Sequence, residues 1–313
     1  MPIETLTDAL EYYRGFAIGV ENRSQSTIRF KETPIRQLIL YLGGDLPLQD
    51  IPEQHIIGFM EWLRQRSKNE HHPSGNKAGG KVSDITINTY FRGLRAFFNW
   101  LVKRGTLPQS PMSNIEEPRY QEKLPTYLKA DEIERIIAAV NLKTYTVFRD
   151  VAMIVLLGDT GLRASEIVDL DLDDVDIITG DLRVTQQKTG KQQVIGFHKK
   201  TAGLLATYIM HWRPDSPHSK LFLTEDGRPL TTDRLAKILK TRGDKVGIHV
   251  NPHLLRHTAA VLKRRLEDWD AERIQNLLGH STSKMTRLYI RAAGDEDLRE
   301  AFRRPGWVDK LHL

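Results

Sequence analysis

Four prolines between residues 108 and 125 (Pro108, Pro111, Pro118 and Pro125) divide this 313-residue chain. Proline fixes φ and has no N–H to give, so neither a helix interior nor a central strand runs through such a stretch. Its polar setting reads as a linker. The chain is long enough for a core on each side of it. The expected partition is a domain over 1–108, a linker over 109–126 and a second domain over 127–313.

The first domain reads as helices. From Ile85 to Arg104 the residues Ile87, Tyr90/Phe91, Leu94, Phe97/Phe98 and Leu101 recur at helical spacing, and Gly105 is a stop. The other face carries Asn88, Arg92, Arg95 and Asn99, which on its own is an ordinary solvated face. An earlier helix spans about Ser24 to Tyr41, where Pro34 is expected to kink or break it. The polar, glycine-rich run 67–83, with His71 and His72, reads as a mobile loop with solvated histidines.

In the second domain the helical pattern resumes at Ala130 and passes through the apolar segment Val151 to Leu157. Two extended runs, 182–187 and 192–197, flank Lys188-Thr189-Gly190-Lys191 as a hairpin. From about Thr201 onward the chain is mainly helical. The expected class is mainly α with a small antiparallel β-sheet in the C-terminal domain.

Composition narrows the chemistry. Cysteine is absent, which removes disulfides, thiolate metal sites and a Cys nucleophile, and fits a reducing cytoplasm. No apolar run approaches a membrane span. Lys and Arg outnumber Asp and Glu by 46 to 40 and the pI is about 9.3, so a nucleic-acid partner is plausible and far from proven.

Six polar residues carry the chemistry: Arg163, Lys188, His253, Arg256, His280 and Tyr289. In Thr160-Gly161-Leu162-Arg163-Ala164-Ser165-Glu166, Gly161 ends one helix and Arg163 starts the next, with Glu166 on the same face to orient it. An arginine fork suits phosphate, although a helix-start ion pair reads the same way. In Asn251-Pro252-His253-Leu254-Leu255-Arg256-His257, Asn251 is a good N-cap and Pro252 fits the first turn. His253 and Arg256 then stand one turn apart near a helix N-terminus, a natural anion site. In Leu277-Leu278-Gly279-His280-Ser281, Gly279 stops a helix and places His280 at a corner. Tyr289 follows nine residues later, where a lone tyrosine is more often a packing residue.

The ordered set Thr-Gly-Leu-Arg-x-x-Glu, hairpin Lys-Thr-Gly, His-x-x-Arg-His, Leu-Gly-His and a downstream Tyr resembles the tyrosine recombinases, or phage integrases, including Xer-like enzymes. The resemblance implies a two-domain DNA clamp, a helical core-binding domain plus an α+β catalytic domain. It implies a site-specific recombinase that cleaves and rejoins DNA through a 3'-phosphotyrosine on Tyr289, without metal, ATP or cofactor, for integration, excision or dimer resolution. Arg163 and Arg256 then grip the phosphate, His280 donates a hydrogen bond, Lys188 is the general acid and His253 exchanges a proton near Tyr289. Glu166 and His257 support them. Contacts to double-stranded DNA fall to Arg92, Arg95 and Lys103 on one side and to Arg234, Lys237, Lys240 and Arg242, or Lys263, Arg264 and Arg265, on the other. The expected assembly is a homo-tetramer on DNA and a monomer in solution, with no membrane partner. A topoisomerase-like nicking-resealing enzyme and a catalytically silent DNA-binding accessory protein are the alternatives.

Overall fold

In a computed structural model the chain forms two compact units, Met1–Glu122 and Lys123–Leu313. The structure describes residues 3–66, 80–120, 124–140, 144–186, 190–279 and 286–294. Most of the glycine-rich run, together with Lys188, His280 and the tail beyond 294, lies outside these.

The first unit is built from α1 (Leu6–Gly19), α2 (Gln25–Leu42), α3 (Glu53–Gln65) and α4 (Asp84–Lys103). Each of α1, α2 and α4 begins on a Thr or Ser whose hydroxyl accepts a first-turn N–H: Thr5, Ser24 and Ser83. The apolar stripe of α4 is buried as its spacing predicts, with Phe91, Leu94, Phe97, Phe98 and Leu101 fully enclosed. Burial of each such side chain stabilises the unit by roughly 1.5–3 kcal/mol. Part of the stretch expected as a linker packs into this unit. Met112 is buried, and Arg95 Nη2 donates to Ile115 O at 2.6 Å.

Pro34 neither breaks α2 nor ends it, because the helix runs on to Leu42. A proline at 34 leaves the carbonyl of Phe30, four residues back, without its helical donor. Gly93 of α4 lies against that carbonyl: a Cβ there would overlap Phe30 O and stand 2.8 Å from Pro34 Cγ. Only glycine permits so close an approach of α4 to the orphaned oxygen.

The second unit opens with α5 (Ala130–Ala138), α6 (Tyr145–Thr160) and α7 (Ala164–Asp169). A three-stranded antiparallel sheet follows, in the order β1 (Val175–Asp176), β2 (Asp181–Thr185), β3 (Gln192–Gly196), with Leu182 opposite Ile195 and Thr185 opposite Gln192. Then come α8 (Lys199–Thr207), α9 (Thr232–Asp244), α10 (Pro252–Leu266) and α11 (Ala271–Leu278), and residues 286–294 are helical. Helix α6 is apolar on nearly every face because it is central; Val151, Met153, Ile154, Leu156 and Leu157 are all buried. No helix among the described residues is long and apolar enough to cross a membrane.

Candidate active site

Three helix ends and one helix face make the site. Helix α6 stops at Gly161, which adopts a left-handed φ of 65°. That reversal brings Arg163 to the N-cap of α7, where one carboxylate fixes it twice. Glu166 Oε2 accepts from the Arg163 backbone N–H at 2.8 Å and Oε1 from Nη1 at 2.7 Å. Glu166 is buried, whereas the Arg163 side chain keeps 38% of its exposure and so opens to solvent.

Helix α10 begins as its sequence dictates: Asn251 Oδ1 accepts from Leu254 N at 2.9 Å and Pro252 occupies the first turn. Arg256 lies on the inward face and is only 5% exposed. Its Nη1 donates to Gly161 O at 2.6 Å and its Nη2 to Leu278 O. Arg163 Nη2 reaches the same Leu278 carbonyl at 3.2 Å. Both guanidiniums therefore converge on the C-terminal end of α11, where helix carbonyls have no partner of their own. Helix α11 then turns at Gly279, again with positive φ (57°).

Tyr289 is 1% exposed, and its Oη stands 2.8 Å from Nδ1 of His257, the residue after Arg256. His253, one turn back on α10, is exposed and stacks on His257 with ring centroids 6.4 Å apart. The site thus brings together Arg163, Glu166, Arg256, His257 and Tyr289, while Lys188 and His280 lie outside the described residues.

Electrostatics follows from burial. Burial pushes the Arg256 guanidinium down to about 10, Arg163 adds to the fall, and Glu166 and Tyr289 oppose it. Burial also lowers His257, with help from His253 and Arg256, so its neutral imidazole is favoured. The phenol of Tyr289 is raised by burial and drawn back by Arg256 and Arg163.

The direct contact of His257 with the phenol is not distinguished by the motif. Its one available signal is the four-residue step from His253, which sets both imidazoles on one face of α10. The hairpin is tethered by another pair that the motifs do not contain. Gln193 Nε2 donates to Asn276 O at 2.8 Å and Gln186 Nε2 to Gln193 Oε1 at 3.0 Å, tying β2 and β3 to α11.

The basic residues expected to face DNA separate into two groups. Lys103, Arg234, Lys237 and Lys240 are exposed, the last paired with Asp244 at 2.6 Å. Arg92 and Arg95 stand near Glu117, at 4.0 and 3.6 Å. Arg242 instead turns inward: its Nε and Nη2 donate to Asp150 Oδ2 at 2.8 and 2.5 Å, and Arg149 holds the same carboxylate through Oδ1. Lys263 is buried too, 3.6 Å from Asp159 and 3.2 Å from Glu267, and Arg264 pairs with Asp268. Spacing carries the reason. Arg242 continues the buried stripe Leu235, Ile238, Leu239, and Lys263 continues Arg256, Ala259, Ala260.

Residues 126–296 match the profile described as "Phage integrase family", and residues 10–117 match "Phage integrase SAM-like domain". The chain belongs to the phage integrase family. It is 30% identical over 295 residues to the tyrosine recombinase XerD of Listeria monocytogenes serotype 4b (strain F2365), covering 91% of this chain and 94% of that protein. Phage integrases of this type are site-specific recombinases that use a tyrosine, and this chain is one of them. Its fold is that of XerH bound to a palindromic difH substrate after cleavage: TM-score 0.70, 19% identity, 95% of this chain and 83% of that one. A lambda integrase tetramer bound to a Holliday junction shares it as well: TM-score 0.66, 18% identity, 91% and 77% of the two chains. These relatives favour recombination over a topoisomerase-like enzyme or a silent accessory protein.

Proposed function

We propose that Tyr289 attacks a DNA phosphodiester held between Arg163 and Arg256, giving a 3'-phosphotyrosine and a free 5'-hydroxyl that another strand's 5'-hydroxyl later reverses. The observation that carries this reading is the convergence of two guanidiniums on one helix end, with both charges acting on a buried tyrosine. Forked donors suit the non-bridging oxygens and stabilise charge that builds in the transition state. Glu166 fixes the Arg163 fork in advance, which lowers the reorganisation needed when phosphate arrives. Lys188 serves as general acid to the leaving oxygen and His280 as a further donor. His253, exposed at the mouth of α10, exchanges a proton near the tyrosine. The covalent bond conserves the energy of the phosphodiester, so neither ATP nor a metal enters the cycle.

Lys103 in the first unit and Arg234, Lys237 and Lys240 in the second contact backbone phosphates, joined by Arg92 and Arg95 in exchange for Glu117. The working assembly is a tetramer on two duplexes, formed from monomers in the cytoplasm. The solved lambda integrase tetramer on a Holliday junction supports that stoichiometry.

The test is a nicked duplex taken from the chain's own genomic flanks, incubated with protein in chelator and resolved on a denaturing gel. A covalent protein–DNA band that the Tyr289→Phe variant lacks is expected. Strand cleavage surviving in that variant overturns the reading.

A further inference from the structure

Asn88, Arg92 and Arg95 recur at steps of four and three along α4, on the face whose arginines the reading above sets on DNA phosphates. In the free protein part of that face is already taken. Asn88 is only 4% exposed, and its Nδ2 donates to Glu117 Oε1 at 3.1 Å and to Pro118 O at 3.0 Å. Arg95 donates through Nη2 to Ile115 O at 2.6 Å, and its guanidinium carbon lies 4.5 Å from the centroid of the Phe91 ring. The Glu117 carboxylate thereby stands 3.6 Å from Arg95 Nη1 and 4.0 Å from Arg92 Nε.

We infer that Glu117 holds the place of a DNA phosphate on α4, an internal competitor that duplex must displace before both arginines close on its backbone. This rests on the reading that Arg92 and Arg95 are DNA contacts. An arginine fork takes either anion, because carboxylate and phosphate each offer it two oxygens. What marks Glu117 as placed is Asn88. An exposed ion pair by itself keeps no single geometry and is worth little. Here a buried amide, which needs partners once it has left water, fixes one carboxylate oxygen and the next carbonyl of the chain. The charge of Glu117 is therefore kept beside the arginines by a group that is itself neutral.

The exchange replaces one anion by another on the same cations, so phosphate gains less there than it would on a bare face. That loss falls on backbone contact, which supplies nearly all sequence-independent binding. Glu117 thus holds down attachment to duplex of arbitrary sequence, most strongly at low salt, where its own pairs are least screened. Glutamine separates its two roles. It keeps an oxygen for Asn88 Nδ2 and loses the attraction to the arginines.

The test is fluorescence anisotropy of the full chain on duplex DNA of arbitrary sequence, across a salt series. Four proteins are compared: wild type, Glu117→Gln, Arg92→Gln with Arg95→Gln, and all three substitutions together. Glu117→Gln is expected to tighten binding about threefold to tenfold at low salt, the scale of two exposed ion pairs. The slope of log affinity against log salt should steepen by no more than about half a unit, because the same phosphates are met and only the competitor is gone. In the background lacking both arginines the gain should fall below about twofold, since no cation remains to compete for. A gain of equal size in both backgrounds reports plain repulsion between a carboxylate and DNA and overturns the inference, as does no gain at all. A slope steeper by about one to two units also overturns it, because Glu117 then stays on the arginines when wild type binds. The underlying reading fails in a different way. If losing both arginines neither weakens binding nor lowers the slope, α4 does not meet phosphate, whatever Glu117 does.

Discussion

Gly161 offers the sharpest mechanical test of the site. Replacing it with alanine asks a residue with a Cβ to hold φ 65°, which costs about 1–2 kcal/mol. The new methyl would stand 3.1 Å from Leu278 Cδ2 and 3.3 Å from the Ala259 Cβ, closer than the 3.5–4.0 Å or so of comfortable carbon contact. Helices α10 and α11 must then give way, at about 1–3 kcal/mol. Against this, alanine restricts the unfolded chain and returns about 0.4–1 kcal/mol. The net expectation is about 2–4 kcal/mol of destabilisation in the second unit, or a fall of roughly 5–15 °C in its melting transition. Gly158, one turn earlier on α6, has nothing within 4 Å of its would-be Cβ. Gly158→Ala should therefore be neutral or gain up to about 1 kcal/mol. Hydrogen exchange of α6 and α10 peptides under mild urea reads the second unit separately from the first. Because Gly161 O also holds Arg256 Nη1, Gly161→Ala should lose at least about tenfold in covalent-complex formation even where folded. Equal stability of the two alanine variants would refute the packing argument.

Three further expectations follow from the charge pattern. Asp150→Ala strands the guanidiniums of Arg149 and Arg242 together in a buried place and should destabilise the second unit by about 3–5 kcal/mol in urea titrations. Replacing Arg234 and Lys237 together with alanine should lower the slope of log affinity against log salt for duplex DNA by about 2, whereas Arg242→Ala should leave the slope unchanged and lower stability, as fluorescence anisotropy and melting curves will show. Burial raises Asp159, but hydrogen bonds from Thr201 and His198 outweigh it and hold the carboxyl below 3.8. Its stabilising effect is thus complete above the unfolded value and fades as pH falls through the lower folded one. Urea midpoints between pH 5 and 2 should fall more steeply for wild type than for Asp159→Asn, and parallel curves would contradict this.

Much of the fold is legible because burial repeats itself along the chain. The stripe of α4 and the apolar run of α6 announce a helix face and a central helix, and Gly161 and Gly279 mark the ends at which the arginines meet. Pro34 is misleading because the helix runs on through it, and Gly93, which packs against that turn, is 59 residues away on another helix. Arg242 and Lys263 look solvent-facing only when their charge is read without their spacing; their partners Asp150 and Asp159 stand 92 and 104 residues off. Within the site, identity is legible and assignment is not. Two histidines four residues apart look interchangeable in sequence, and only the placement of Tyr289 against one of them separates their surroundings.

The Leu278 carbonyl joins both guanidiniums to α11, a helix of eight residues. A helix so short holds its shape through its neighbours and frays readily at its last turn, since local opening needs far less energy than unfolding the domain. When that turn opens, each fork loses the one acceptor the two share, while α6 and α10 remain intact. Heat should therefore silence this enzyme before it melts it: activity would decline over a range in which circular dichroism still reports a folded protein, and cooling would restore it at once.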